Sequence, residues 1–312
     1  MSTKDLAERF TAQVHRIVIG QEETVRLAFL GLALGGHVLI EGVPGTAKTL
    51  LARTIAQLIG GVFKRIQFTP DLMPSDVVGT SVYELATGEF RIRRGPIFGN
   101  VILADEVNRA PAKTQSALLE AMEERQVTLE GAAEPLPDPF LVLATQNPVE
   151  YEGTYPLPEA QLDRFLFKAL VRYPEAADEK AILRAHDRGV PLAQVAALEP
   201  LPEGALTDTR REIDAVTVEE SVLDYIVRIV EESRRSGDVL LGASPRAGVH
   251  LLRAAKAAAA VEGRDFVTPD DVKALVPAVL RHRLVLKAEA EIEGLDPDAV
   301  VRRILSRLDV PR

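Results

Sequence analysis

One short stretch constrains this chain more than any other feature of its sequence. Its eight residues are Gly42-Val43-Pro44-Gly45-Thr46-Ala47-Lys48-Thr49. The apolar run 37–40 before it predicts a buried strand, and the run 50–56 after it predicts a helix. A strand, a glycine-containing loop, Lys-Thr and a helix form, in this order, the context of a P-loop, which binds nucleotide phosphates. The stretch therefore predicts an α/β fold with a nucleotide site.

Each part of this loop has a predicted task. Gly42 and Gly45 are expected to let the backbone turn sharply, so that its N–H groups point at phosphate oxygens. The N-terminal end of the following helix adds partial positive charge. Lys48 can reach the β- and γ-phosphates, and the Thr49 hydroxyl can bind Mg²⁺. Ala47 stands where the usual pattern has a second Gly, but its single methyl group still permits close approach to phosphate.

Two later apolar runs, which begin at Asn100 and Phe140, also end in polar side chains. Continuous apolar runs are typical of strands buried on both faces of a parallel sheet, and charged groups belong at the strand ends, where the sheet opens to a site. The first run has the form of a Walker B strand. Asp105 is therefore expected to hold Mg²⁺ through its water shell, and Glu106 to polarise the attacking water. Asn147, at the end of the second run, is expected to orient that water or to sense the γ-phosphate.

The chain divides into two halves where alternating predicted strands and helices give way to predicted helices only. We therefore expect an α/β nucleotide-binding core with N-terminal helices over residues 1–173 and an α-helical lid domain over residues 174–312. In the lid, Ser244-Pro245 is expected to begin a helix, which places Arg246 in its first turn.

Two segments of the expected core, 81–95 and 126–139, predict protruding β-hairpins. The second arm of the first hairpin carries three basic side chains, which alternation places mainly on one face: Arg91, Arg93 and Arg94. This face is either solvated or a contact surface for a substrate or a neighbouring subunit.

The composition excludes several classes of protein. The 312 residues are 46% hydrophobic and 27% charged, as in globular proteins, and the absence of Cys excludes disulfides, thiolate catalysis and cysteine metal sites. The net charge of −9 argues against nucleic acid as a partner. The first 20 residues show no signal-peptide core, and the longest apolar stretch, 27–40, is too short and too interrupted to span a membrane. We therefore expect a cytoplasmic protein.

The motifs and their order resemble those of AAA+ ATPases, and the residues within the motifs resemble the MoxR family in particular. The resemblance covers nearly the whole chain and rests on five segments: 42–49, 105–111, 144–148, 158–165 and 242–247. Ala47, which is unusual in a generic P-loop, is the residue that this family shows there. The expected fold is thus an AAA+ P-loop core, with a parallel sheet, flanking helices and two hairpin insertions, followed by an all-α lid.

The resemblance also implies a mechanism. ATP is bound with Mg²⁺ between the subunits of a ring, usually a hexamer. Arg164 is the arginine finger, which reaches the γ-phosphate of the neighbouring subunit, and Arg246 is the sensor of the lid, acting in its own subunit's site. Arg109 is a further candidate for the interface. The two hairpins match the insertions of this branch of AAA+ proteins and would face the ring pore or a partner.

MoxR-like proteins are implicated in maturing or activating other proteins, often together with partners that carry a von Willebrand factor A domain. The chain contains no such domain, so that partner would act in trans on client proteins.

Three alternatives stay open: the ATPase subunit of a metal chelatase, which shares the insertions; a nucleic-acid motor, supported only by the three hairpin arginines; and a nucleotide-gated scaffold.

Overall fold

A computed structural model of the chain describes residues 1–86, 88–147, 155–187, 189 and 194–311. The chain forms two compact units, each described by itself below. The α/β unit consists of Phe10–Arg164 and Ala169–Leu201, and the helical unit consists of Met1–Arg9, Phe165–Lys168 and Pro202–Arg312.

The described strands follow one another in the chain as β1 (Val38–Gly42), β2 (Phe63–Gln67), β3 (Gly79–Glu84), β4 (Glu89–Arg94), β5 (Val101–Asp105), β6 (Gln126–Leu129), β7 (Ala132–Pro135), β8 (Leu141–Gln146), β9 (Phe167–Val171), β10 (Val239–Leu241) and β11 (Val285–Leu286). The described helices are α1 (Thr3–His15), α2 (Glu22–Leu34), α3 (Lys48–Leu58), α4 (Pro74–Val78), α5 (Ala112–Glu124), α6 (Glu159–Leu162), α7 (Ala176–Asp187), α8 (Ala205–Ala215), α9 (Glu220–Arg235), α10 (Pro245–Val261), α11 (Pro269–Leu280), α12 (Ala288–Ile292) and α13 (Pro297–Arg307).

A five-stranded sheet in the order β2-β5-β8-β1-β9 forms the centre of the fold. The pairs β2/β5, β5/β8 and β1/β8 are parallel. The apolar residues at 38–40, 101–104 and 141–144 are all buried, as expected for strands covered on both faces. The predicted α/β fold with a parallel sheet is confirmed. Its strand order brings the carboxyl ends of β1, β5 and β8 to one edge, which positions the candidate site.

The two predicted hairpins are present as β3–β4 and β6–β7. In the first, Arg91 lies opposite Val82 and Arg93 opposite Thr80, whereas Arg94 belongs to the other face, because successive residues of a strand alternate. Arg94 Nη2 lies 2.7 Å from Glu134 Oε2 of β7, which joins the two hairpins.

The helical unit contains α8 to α13. Helix α10 begins at Pro245 with Ser244 as its N-cap residue, so Arg246 lies in the first turn as predicted. The described residues also include strands β10 and β11, which pair antiparallel and were not expected in this half of the chain. Strands of two or three residues are too short to show a periodic pattern.

Three consecutive basic residues of the helical unit are buried, each with no more than 7% of its surface exposed: Arg281, His282 and Arg283. His282 Nε2 lies 3.1 Å from the Phe165 carbonyl oxygen, and Arg283 Nη2 donates to the same oxygen at 2.6 Å. Arg281 Nη1 donates to the Lys168 carbonyl at 3.1 Å. Burial and the neighbouring Arg283 charge lower the pKa of His282 well below its usual value. Segment 165–168 is thus held by neutral and cationic donors of this unit.

Candidate nucleotide-binding site

The phosphate loop connects the end of β1 to the start of α3 and contains two residues in the left-handed region. Gly45 has φ 80° and Ala47 has φ 58°. The left-handed conformation is accessible to Gly but costs an Ala about 1 kcal/mol. Ala47 therefore occupies a backbone conformation that would suit the Gly of the usual pattern, and it is also the N-cap residue of α3.

The turning role predicted for Gly42 is wrong. Gly42 is the last residue of β1, and its φ lies outside the left-handed region. A Cβ added there would lie 2.3 Å from the carbonyl oxygen of Val171 in β9. Gly42 is therefore required because two main chains approach closely at this point.

Side-chain hydrogen bonds hold the loop in shape. Lys48 Nζ donates to the Gly42 carbonyl at 2.7 Å, and Thr46 Oγ1 donates to the Val43 carbonyl at 3.0 Å. Gln21 Nε2 donates to the carbonyl of Thr46. Burial lowers the pKa of Lys48, while the charges of Asp105 and Glu106 act in the opposite direction. The ammonium group of Lys48 thus lies within the electrostatic influence of both acidic residues.

Asp105 ends β5 and is held from both sides. Its Oδ2 lies 2.6 Å from Arg65 Nη2, and its Oδ1 accepts a hydrogen bond of 2.6 Å from Thr145 Oγ1. The same hydroxyl accepts from the backbone N–H of Glu106 at 2.8 Å. Thr145 therefore links the two acidic residues of the site.

Glu106 has an unusual backbone and a partnered carboxylate. Its φ is 56°, in the left-handed region, which is uncommon for a residue with a side chain and is found at functional sites. Its Oε2 accepts hydrogen bonds from Gln67 Nε2 at 2.8 Å and from Arg109 Nη1 at 3.0 Å. In this structure both donors compete with any water for that oxygen.

Sequence reasoning missed Thr145, Arg65 and Gln67 as residues of the site. The signal was available in part, because β2 ends in polar residues and lies beside β5. Gln67 is opposite Asp105 in the register of this pair. Periodicity does not show which strands are neighbours in a sheet. The sequence therefore did not indicate that the polar end of β2 lies at the site.

The remaining predicted residues lie as follows. Asn147 comes directly after β8, two residues beyond Thr145. Arg164 follows α6, and its Nε lies 3.1 Å from Glu123 Oε2 on α5. A cleft of about 210 Å³ opens beside this ion pair, lined by residues of α5 and by Gln161. Arg246 is exposed and belongs to the helical unit. The catalytic roles of these residues stay predictions.

The predicted donor set for Mg²⁺ consists of one hydroxyl, that of Thr49, and one carboxylate, that of Asp105. Among the residues that the structure describes, no three His, Cys, Asp or Glu side chains form a metal site. Thr49, in the first turn of α3, and Asp105 supply hard oxygen ligands, and phosphate and water oxygens complete the coordination of Mg²⁺ in such sites. The residues present therefore fit this ion.

A P-loop at the end of β1, with an Asp-Glu pair at the end of β5 two strands away in the same parallel sheet, defines the chain as a P-loop nucleotide hydrolase. Residues 37–167 match the model of the "ATPase family associated with various cellular activities (AAA)", and residues 231–304 match that of the "AAA lid domain".

Similarity to individual proteins extends over nearly the whole chain. Uncharacterized protein YeaC of Bacillus subtilis is 49% identical over 299 residues, which are 96% of this chain and 92% of that protein. Chaperone MoxR1 of Mycobacterium tuberculosis is 46% identical over 314 residues, with coverage of 98% and 82%. The crystal structure of a candidate ATPase from Cytophaga hutchinsonii superposes with a TM-score of 0.91 at 42% identity, covering 99% of this chain and 96% of that one.

The chain belongs to the MoxR family of AAA ATPases, and it is an ATPase that binds ATP. In the ranges that the structure describes, none of the helices combines the length and the apolar character needed to cross a membrane.

Proposed function

We propose that this protein is a chaperone-like remodeller, which uses ATP hydrolysis to mature or activate client proteins. The observation that carries the hydrolysis part of this proposal is the loop after β1, where Lys48 bonds to the Gly42 carbonyl, together with the carboxylates of Asp105 and Glu106 at the end of β5 in the same sheet. Such a site has what phosphoryl transfer to water requires: donors for the phosphates and a carboxylate base. The name of the mycobacterial relative, a chaperone, supports the remodelling role.

In the proposed mechanism, the loop N–H groups and Lys48 bind the β- and γ-phosphates. Lys48 must then exchange the Gly42 carbonyl for phosphate oxygens. Glu106 accepts a hydrogen bond from the attacking water once Gln67 and Arg109 release its carboxylate. Asn147 orients that water or senses the γ-phosphate.

Mg²⁺, held by Thr49 and Asp105, would neutralise charge on the phosphates. Asp105 is paired with Arg65 in this structure, so Arg65 would compete with the ion for that carboxylate.

We further propose that the active unit is a ring, with six subunits as the expected number. Arg164 then acts as the arginine finger on the nucleotide of the neighbouring subunit, and Arg246 acts as the lid sensor in its own subunit. The division into a core at 1–173 and a lid at 174–312 permits the lid to move with the nucleotide state.

The proposed partners are client proteins and a von Willebrand factor A domain protein acting in trans, all in the cytoplasm. The two hairpins are suited to contact them or to face the ring pore, since the strands and turn of β3–β4 expose Phe90 at 73% and Leu85 at 90%. Arg91 and Arg94 are ion-paired with Glu84 and Glu134, which reduces the positive charge available to nucleic acid.

The first test is ATP hydrolysis as a function of protein concentration, in the wild type, Glu106→Gln and Arg164→Ala. Specific activity should rise with concentration, because each site is completed by a neighbour. Glu106→Gln should abolish turnover while ATP binding persists, and Arg164→Ala should lower kcat by about 10³-fold or more, the effect of removing a finger in other NTPases.

Arg235→Ala serves as the matched control, because Arg235 is an exposed arginine paired with Glu231 on its own helix. It should leave turnover unchanged. Activity that is independent of concentration and insensitive to Arg164→Ala would rule out the shared site.

A further inference from the structure

Helix α5 contains a fully buried amide, Gln115, with 0% of its surface exposed. Its Nε2 lies within hydrogen-bond distance of three main-chain carbonyl oxygens, those of Val107 at 3.2 Å, Ala110 at 3.1 Å and Tyr155 at 2.9 Å. The reverse orientation would place the amide oxygen against three carbonyl oxygens. The contacts therefore determine which way the amide points.

These carbonyls belong to two segments that are distant in the chain. Val107 and Ala110 belong to the turn that follows Glu106, and Tyr155 opens the described segment that leads to α6 and Arg164. The segments also bond directly, since the N–H of Tyr155 donates to the Asn108 carbonyl at 2.6 Å. Gln115 thus fastens the loop after the catalytic glutamate to the segment before the proposed finger.

The same helix reaches Arg164 from its other end, because Glu123 of α5 forms the ion pair with it. Gln115 and Glu123 are eight residues apart, which is about 12 Å along an α-helix. One rigid element therefore contacts both the loop that carries Glu106 and the guanidinium of Arg164.

We propose that Gln115 is a positioning residue that couples the nucleotide state of one site to the arginine finger that the same subunit offers to the next site. This coupling depends on the finger role proposed above for Arg164. When Glu106 leaves Gln67 and Arg109 to engage water, the turn at 107–110 shifts. Because the amide of Gln115 is buried, water cannot replace its bonds, and the segment at Tyr155 shifts with the turn.

The test mixes wild-type subunits with Glu106→Gln subunits, which bind ATP without turnover and are arrested in one state. At equal amounts, independent sites would retain half of the activity. Sites that each need a working neighbour would retain about a quarter, since a wild-type subunit then meets an arrested neighbour half of the time. We expect about a quarter with Glu106→Gln, and a return to about half when the arrested subunits also carry Gln115→Met.

Gln115→Met keeps the volume of the side chain and removes the donor. Because it is present only in subunits that do not turn over, any effect on their own catalysis is not measured. Ser116→Ala in the arrested subunits is the matched control, since the Ser116 hydroxyl bonds only within α5, to the carbonyl of Ala112, and the activity should stay at a quarter. Sedimentation with labelled subunits verifies that every variant enters mixed assemblies.

If Gln115→Met prevents assembly, Gln115→Ala, which removes the same amide donor and leaves a smaller side chain, takes its place. It should also return the activity to about half. The coupling is disproved if either assembling double variant inhibits as strongly as Glu106→Gln alone, or if Glu106→Gln itself inhibits only in proportion. Neither result affects the proposed ATP-driven function, which fails instead if the wild type has no turnover. Full activity of Arg164→Ala would overturn the finger role on which the coupling rests.

Discussion

Two glycines of the phosphate loop are required for different structural reasons. Single residues of this kind decide whether the loop can form. Gly45 has φ 80° and nothing within 4 Å of an added Cβ, so only its backbone conformation demands glycine. Gly42 has ordinary φ, but an added Cβ would lie 2.3 Å from the Val171 carbonyl oxygen and 2.8 Å from the Val171 Cβ. Conformation matters at one position and space at the other.

Gly42→Ala should therefore destabilise the protein more than Gly45→Ala. We expect Gly45→Ala to lower the free energy of unfolding by about 1 kcal/mol, the cost of a left-handed alanine. Gly42→Ala should lower it by about 3 kcal/mol, at the upper end of overpacking effects, because main-chain atoms cannot move aside easily. Urea unfolding of both variants measures the difference. Equal losses would show that β9 yields to the added methyl group.

Helix α11 has a capping box at its N-terminus, which an arginine extends. Thr268 Oγ1 accepts from the N–H of Asp271, and the Asp271 carboxylate accepts from the N–H and the hydroxyl of Thr268. Arg264 donates two hydrogen bonds to that carboxylate at 2.6 and 2.8 Å. Burial raises the pKa of Asp271, but the bonds from Arg264 and Thr268 outweigh it, so the net pKa is lowered.

Thr268→Ala should lower the free energy of unfolding by about 1 kcal/mol, as for other N-cap residues, because the N–H of Asp271 loses its side-chain acceptor. Thr268→Ser is the control that keeps the hydroxyl and should be close to wild type. Thermal unfolding followed by circular dichroism compares the three proteins. If Ser and Ala variants unfold alike, the stability of α11 comes from Arg264 and Asp271 alone.

Elements with strong local signals were predictable from the sequence. The runs that became β1, β5 and β8 are mainly apolar before their polar ends, and Ser244-Pro245 marked the start of α10. The contacts that complete the site were not predictable, since they depend on which elements are neighbours. Thr145 joins Asp105 to Glu106 only because β8 lies beside β5. Nothing in the sequence around Gln115 predicts that its amide is buried against two distant segments.

The stability of the whole molecule should depend on pH through buried histidines. His37 Nε2 lies 3.1 Å from the Met122 carbonyl oxygen, and its Nδ1 accepts from the Val142 N–H at 3.0 Å, so the ring is neutral. Burial, and then the charge of Arg125, lower the pKa of His37 to about 3. The unfolded chain binds a proton below about pH 6.5 that the folded chain does not. The free energy of unfolding should therefore fall as the pH decreases from about 6.5 toward 3.

His37→Gln removes this dependence while keeping one donor and one acceptor at the site. Urea unfolding at pH 7.5 and pH 5 should show a smaller loss of stability in the variant than in the wild type, because His282 and the carboxylates contribute alike to both. If both proteins lose the same free energy between these pH values, His37 is not the source of the dependence.

The order of strands in the central sheet also has a consequence for how the newly made chain folds. Both neighbours of β1, the strands β8 and β9, come later in the chain, and β8 follows it by about a hundred residues. While the ribosome is still translating the segment in between, β1 has no strand to pair with. The predicted phosphate loop is thus synthesised well before the two strands that flank β1 in the finished sheet.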